Sequence, residues 1–168
     1  MVNCWAERRG LSFRKAWLRP FLFLRTQEAG HELILVKPLT FVNRTGLVLP
    51  ALFKKFDASA QDILAVFDQM DLPPGRVRAK PHGSSAGHNG LRSLDQAMGT
   101  DYARLAVGVG RPREADRVID HVLGRPSADE QQAIDARLKS LVERLDRVWT
   151  KGWEALIDAA NQRNEPSS

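Results

Sequence analysis

A chain of 168 residues suits one domain with one sizeable core. Hydrophobic residues at 43% and charged residues at 27% exclude a disordered or fibrous protein. Lys and Arg total 25 against 20 Asp and Glu, giving a net charge of +5 and a surface that attracts polyanions, while a single cysteine, Cys4, excludes a disulfide framework and fits a reducing compartment.

The apolar run Phe21 to Leu24, between Arg19 and Arg25, is too short to span a bilayer, which takes about 20 residues. Trp17 to Thr26 and Glu32 to Val36 are apolar segments joined by Gln27, Glu28, Ala29 and Gly30, and are predicted to form a hairpin. From Thr45 to Phe56 the spacing of Leu47, Leu49, Leu52, Phe53 and Phe56 predicts a helix, with Asn43 placed as its cap and Pro50 awkward in its interior. Ile63 to Phe67 reads as a strand buried on both faces, ending at the polar edge marked by Asp68.

Pro73, Pro74 and Gly75 force a turn, after which Arg76 to Lys80 alternates basic and apolar residues as a half-exposed strand would. Leu91, Leu94 and Met98 predict a short helix starting near Asn89, with Gly99 just beyond its end. Leu105, Val107 and Val109 alternate with Ala106 and Gly108, a strand packed tightly on one side. A capping box, Ser127 to Glu130, opens a long amphipathic helix running from Ile134 to Trp149, and Gly152 separates it from a last helix over Trp153 to Ala160. The sequence reads as one domain over 1–163 followed by a disordered tail over 164–168, with strands and helices in alternation.

No HExxH, CxxC, Walker, GxSxG or GxGxxG spacing occurs, and His82 and His88 alone do not make a zinc site. Asp68 and Asp71 admit two readings: paired carboxylates for acid–base or Mg²⁺ chemistry, or caps of the turn that follows. The loop Gly83 to Gly90 is built of small residues that let another molecule approach its backbone, and His88 and Asn89 offer donors and acceptors there. The alternative for Asn89 is that it caps the next helix.

Five stretches taken together are more specific. Leu35 to Gly46 (LVKPLTFVNRTG), Phe67 to Gly75 (FDQMDLPPG), Gly83 to Leu94 (GSSAGHNGLRSL), Arg104 to Pro112 (RLAVGVGRP) and Val122 to Pro126 (VLGRP) resemble, in order and spacing, the bacterial peptidyl-tRNA hydrolase family. The resemblance extends nearly to the end of the chain, through ALIDAANQ. It implies a single α/β domain with a twisted mixed β-sheet sandwiched between helices. The implied activity is hydrolysis of the ester joining a peptide to tRNA, in the cytoplasm, by a monomer that needs no cofactor, metal or membrane.

By the same resemblance, Phe41, Asn43, His88 and Asn89 contact the peptide end of the substrate, with the two asparagines placing the ester and the attacking water. Asp68 orients a catalytic His, and Arg78 and Lys80 clamp tRNA phosphates. A third family cation falls at Ala106, which implies a weaker clamp. The opening MVNCWAERRG resembles a family helix that follows the strand and loop carrying the base His, so a truncated N-terminus is expected. None of His31, His82, His88 or His121 stands in the context of that base. A non-catalytic RNA- or partner-binding module, or an inactive fragment, is the alternative expectation.

Overall fold

The computed structural model describes residues 2–28, 30–74 and 76–110, together with Gln132, Ala136, Asp158 and Asn161. The predicted helices between Ser127 and Ala160 otherwise lie outside the described residues, as do the VLGRP stretch and the tail. The described elements are mixed α/β, with two three-stranded sheets. The chain divides into two compact units, one holding residues 1–65 and 80–104 and the other 66–79 and 105–168.

In the first unit, helix α1 (Val2–Arg8) buries Trp5 and Ala6. The guanidinium of Arg9 lies 4.0 Å from the centre of the Trp5 ring and pairs with Glu28 at 3.1 Å. Strands β1 (Arg14–Lys15), β2 (Phe21–Glu28) and β3 (His31–Pro38) form an antiparallel meander in the order β1-β2-β3. The predicted hairpin is present, with Phe21 opposite Pro38 and Glu28 opposite His31. It begins later than the apolar run: Trp17 and Leu18 stand outside it, 87% and 79% exposed, and Leu18 takes a left-handed φ of 54°.

The predicted helix over Thr45 to Phe56 is two pieces, a 3₁₀ segment over Val42–Val48 and then α2 (Leu49–Phe56). The split resolves Pro50: it occupies the first turn of α2, where no N–H partner is required. It also removes the capping role expected of Asn43, which lies inside the 3₁₀ segment; Phe41 is the cap residue and makes no side-chain cap bond. Ala16, Phe21 and Val48 form a buried cluster joined by Phe23, Val36, Ala51 and Phe56, so α2 packs its apolar face on the meander.

Helix α3 (Asn89–Met98) begins where predicted and ends at Gly99, which has φ 78°. It lies against the 3₁₀ segment at very short range. The Gly46 N–H donates to Ser93 Oγ at 2.9 Å, and a Cβ on Gly46 would sit 2.2 Å from the Ser93 carbonyl oxygen. Asp95, on the same helix, accepts from the Tyr102 hydroxyl at 2.7 Å and from Arg104 at 2.8 Å. Arg104 is only 3% exposed, and its guanidinium is 4.1 Å from the Tyr102 ring centre. Burial, followed by the bond to Asp95, pushes the Tyr102 phenol above its ordinary value.

The second sheet has the order β4-β6-β5, from β4 (Leu64–Gln69), β5 (Val77–Lys80) and β6 (Ala103–Gly108). The division between the units passes within β4 and β6 and between Ala79 and Lys80. β4 is not buried on both faces as expected: Ala65 is buried, Val66 is 37% exposed and Asp68 is exposed. The apolar run reads as two-sided burial, but only alternate positions find cover. β5 alternates as predicted, with Val77 and Ala79 buried and Arg78 and Lys80 exposed.

In the second unit, the turn after β4 packs on the end of β6. Val109 N–H donates to Gln69 O at 3.2 Å and Gly110 N–H to Leu72 O at 2.9 Å. A Cβ on Gly108 would stand 2.0 Å from Pro73 O, which explains the small residue in this strand. Among the described residues, no helix is long and apolar enough to cross a membrane.

Two outcomes follow. Gly46→Ala forces the 3₁₀ segment off α3 and lowers unfolding free energy by about 1–3 kcal/mol in a denaturant titration. Tyr102 has a raised folded-state pKa, so its contribution is intact below the unfolded phenol value of about 10 and is lost as pH rises beyond it. Melting temperature above that pH therefore falls more steeply in the parent chain than in Tyr102→Phe.

Candidate active site

The loop before α3 has a defined geometry. Ala86 and Gly87 both take left-handed φ values, 45° and 85°, and His88 N–H donates to Ser85 O at 2.9 Å. Positive φ at both central residues is the type I′ pattern, which reverses the chain and delivers His88 to the start of α3. Ala86 holds a conformation that normally selects Gly or Asn.

His88, and not Asn89, caps the helix. Its Nδ1 accepts the Leu91 N–H at 3.2 Å, while Asn89 is the first helical residue. Cap preference favours Asn over His, so residue type alone pointed to the wrong neighbour. With Nδ1 accepting, the neutral imidazole carries its proton on Nε2. The ring is thereby a donor at Nε2, suited to a carbonyl oxygen and not to taking a proton from water.

Gly90 brings the second component close. A Cβ there would lie 2.9 Å from His88 Cε1 and 3.1 Å from Val42 Cγ1. The start of the 3₁₀ segment thus reaches the start of α3, with Asn43 following Val42 and Asn89 preceding Gly90. Asn43 and Asn89 are exposed, and Phe41, just before Asn43 in sequence, is 78% exposed. The first unit therefore gathers four of the predicted residues at two adjoining element starts: Phe41, Asn43, His88 and Asn89. An apolar side chain, two amides and an imidazole donor can hold a peptide main chain and polarise an ester carbonyl.

The remaining predicted residues are placed on strands. Asp68 is an exposed residue of β4 in the second unit, inside the strand instead of beyond its end. Asp71 accepts from Gln69 Nε2 at 3.1 Å within the turn, which agrees with the turn reading for that carboxylate. Arg78 and Lys80 lie on the exposed face of β5. Ala106, at the expected third cation, is buried in β6. Among the described residues, no group of three or more His, Cys, Asp or Glu is arranged to hold a metal ion.

The chain matches the family described as peptidyl-tRNA hydrolase over residues 1–167. The chain belongs to the peptidyl-tRNA hydrolase family. Among curated relatives, the peptidyl-tRNA hydrolase of Halorhodospira halophila is 40% identical over 126 residues, 74% of this chain and 65% of that protein. That of Geobacillus kaustophilus is 38% identical over 161 residues, 95% of this chain and 84% of the relative. The crystal structure of peptidyl-tRNA hydrolase from Acinetobacter baumannii aligns with a TM-score of 0.85 at 27% identity, covering 96% of this chain and 83% of the other. A crystal structure of peptidyl-tRNA hydrolase in complex with N-propanol aligns with a TM-score of 0.86 at 26% identity, covering 98% and 84%.

The family match gives no support to the expected truncation and favours the hydrolase reading over a non-catalytic binding module. Sequence reasoning missed two polar devices. The first is the His88 cap, for which only the position before a helix was a signal. The second is the capping box between Ser59 and Asp62, whose carboxylate accepts from both the Ser59 hydroxyl and its N–H, at 2.7 and 2.8 Å. Those bonds, the hydroxyl's first, hold the Asp62 carboxyl below its ordinary value.

Removing the cap tests the His88 assignment. His88→Ala is expected to lower stability by about 0.5–2 kcal/mol, and His88→Ser or His88→Asp to restore most of it, as read by thermal and urea unfolding.

Proposed function

We propose that this chain hydrolyses the ester between a peptide, or an N-blocked amino acid, and the 3′ end of tRNA, working as a monomer in the cytoplasm over a single domain of residues 1–163. The observation that carries the reading is the meeting of the 3₁₀ segment with α3, which groups Val42, His88 and Gly90 and places an amide on either side. Family membership supplies the reaction class, and the exposed pair Arg78 and Lys80 supplies a phosphate-binding strand.

In this reading, Asn43 and Asn89 hold the peptide main chain and the attacking water, and Phe41 packs on the peptide. The His88 Nε2–H donates toward the ester carbonyl, where negative charge develops as water adds. Water's oxygen bonds to the carbonyl carbon, its proton passes to a base, and the bond to the ribose oxygen breaks with that oxygen taking a proton. Asp68 orients the proton acceptor and stabilises the positive charge it gains with water's proton, as a carboxylate beside an imidazole does. None of the four histidines is assigned as that acceptor. Arg78 and Lys80 neutralise phosphates of the tRNA, a contact that weakens steeply with salt through counterion release.

The experiment is single-turnover hydrolysis of a purified N-blocked aminoacyl-tRNA. Asn43→Ala and Asn89→Ala are each expected to slow cleavage about 100-fold at saturating enzyme. Arg78→Ala and Lys80→Ala are expected to leave the saturated rate intact, weaken binding, and flatten the dependence of log K on log salt by about one unit each. Absence of cleavage by the parent chain would overturn the assignment of activity. Full cleavage by both asparagine variants would overturn the site.

A further inference from the structure

The strand carrying the two phosphate-binding candidates is only four residues long and stands at the end of its sheet. One edge faces β6: the Arg76 carbonyl accepts the Gly108 N–H at 2.6 Å. Backbone polar groups along a strand point to alternate edges, so those of Ala79, three residues on, point away from β6. There they meet Asn161. The Ala79 N–H donates to Asn161 Oδ1 at 3.0 Å, and Asn161 Nδ2 donates to the Ala79 carbonyl at 3.0 Å.

The two bonds engage both backbone polar groups of Ala79, as a residue on a further antiparallel strand would, so one side-chain amide stands in for a strand neighbour across the outer edge of β5. A four-residue edge strand is prone to fraying, and an unpaired edge also invites pairing with other chains. Ala79 is the residue between Arg78 and Lys80. Fixing its φ and ψ fixes the pleat that sends both cations to the same exposed face.

We propose that Asn161 is a positioning residue for tRNA binding: its amide locks Ala79 and thereby preorganises Arg78 and Lys80 for phosphates. The inference rests on the assignment of those two cations to tRNA made above. Asn161 does not touch the nucleic acid in this scheme. It removes the conformational entropy that the two cations and their strand would otherwise lose on binding. No general stabilising role requires Asn161 to act through the two cations, and that requirement makes the scheme testable.

The test is a mutant cycle read by equilibrium binding of unacylated tRNA to the full chain across a salt series. Asn161→Ala in the parent chain is expected to weaken binding about three- to tenfold and to flatten the salt dependence. In the Arg78→Ala/Lys80→Ala background the same change is expected to cost less than about twofold, because the groups it positions are gone. Asn161→Asp, whose second carboxylate oxygen would face the Ala79 carbonyl and add a negative charge beside the two cations, is expected to weaken binding at least as much as Asn161→Ala.

Equal losses in both backgrounds would overturn the proposal and leave Asn161 a purely structural residue, as would unchanged binding by Asn161→Ala. If Arg78→Ala/Lys80→Ala binds as tightly as the parent chain, the phosphate assignment itself fails and this inference falls with it. That outcome is recognised without any Asn161 variant.

Discussion

The close approach of the 3₁₀ segment to α3 is the constraint on which the candidate site depends. Gly46 has no room for a side chain against Ser93, and its N–H is held by the Ser93 hydroxyl. At the other end of the contact, Gly90 lets Val42 and the His88 ring share a space that a Cβ would fill. These two glycines act through absent volume: Gly46 lets backbone approach backbone at Ser93, and Gly90 leaves room for the His88 and Val42 side chains. Phe41, Asn43, His88 and Asn89 owe their neighbourhood to that approach, not to closeness along the chain.

In the proposed reaction, His88 serves fold and chemistry together. Accepting the Leu91 N–H satisfies a donor that the first turn of α3 would otherwise leave unpaired. The same bond fixes the tautomer and so decides that the far nitrogen donates. The type I′ turn at Ser85 to His88 aims the ring, with Ala86 holding a left-handed conformation unusual for a side chain with a Cβ. Asp95 plays a comparable structural part farther along the helix, where it gathers the buried Tyr102 and Arg104.

Much of the local structure was legible because its causes are local. Alternation of Arg78 and Lys80 with Val77 and Ala79 gave the exposed face of β5, and Leu91, Leu94 and Gly99 bounded α3. The misreadings also have local explanations. Thr45 to Phe56 carries a helical spacing that a 3₁₀ segment followed by an α-helix satisfies equally well, and Pro50 marks the join. Ile63 to Phe67 is apolar at every position, so periodicity could not tell which face lacks cover. Asn89 outranked His88 as a cap by residue preference alone.

The sequence by itself determined the α/β class, the positions of β5 and α3, the family and the list of polar residues offered to a substrate, because composition, periodicity and ordered motifs are properties of the chain as written. Only the tertiary structure decided which of those residues meet and that Asn161 pairs with Ala79. The physical reason is separation along the chain: Gly46 and Ser93 are 47 residues apart, and Ala79 and Asn161 are 82 apart. Contacts closed over such distances follow from how whole elements pack, and short-range residue preferences contain no term for them.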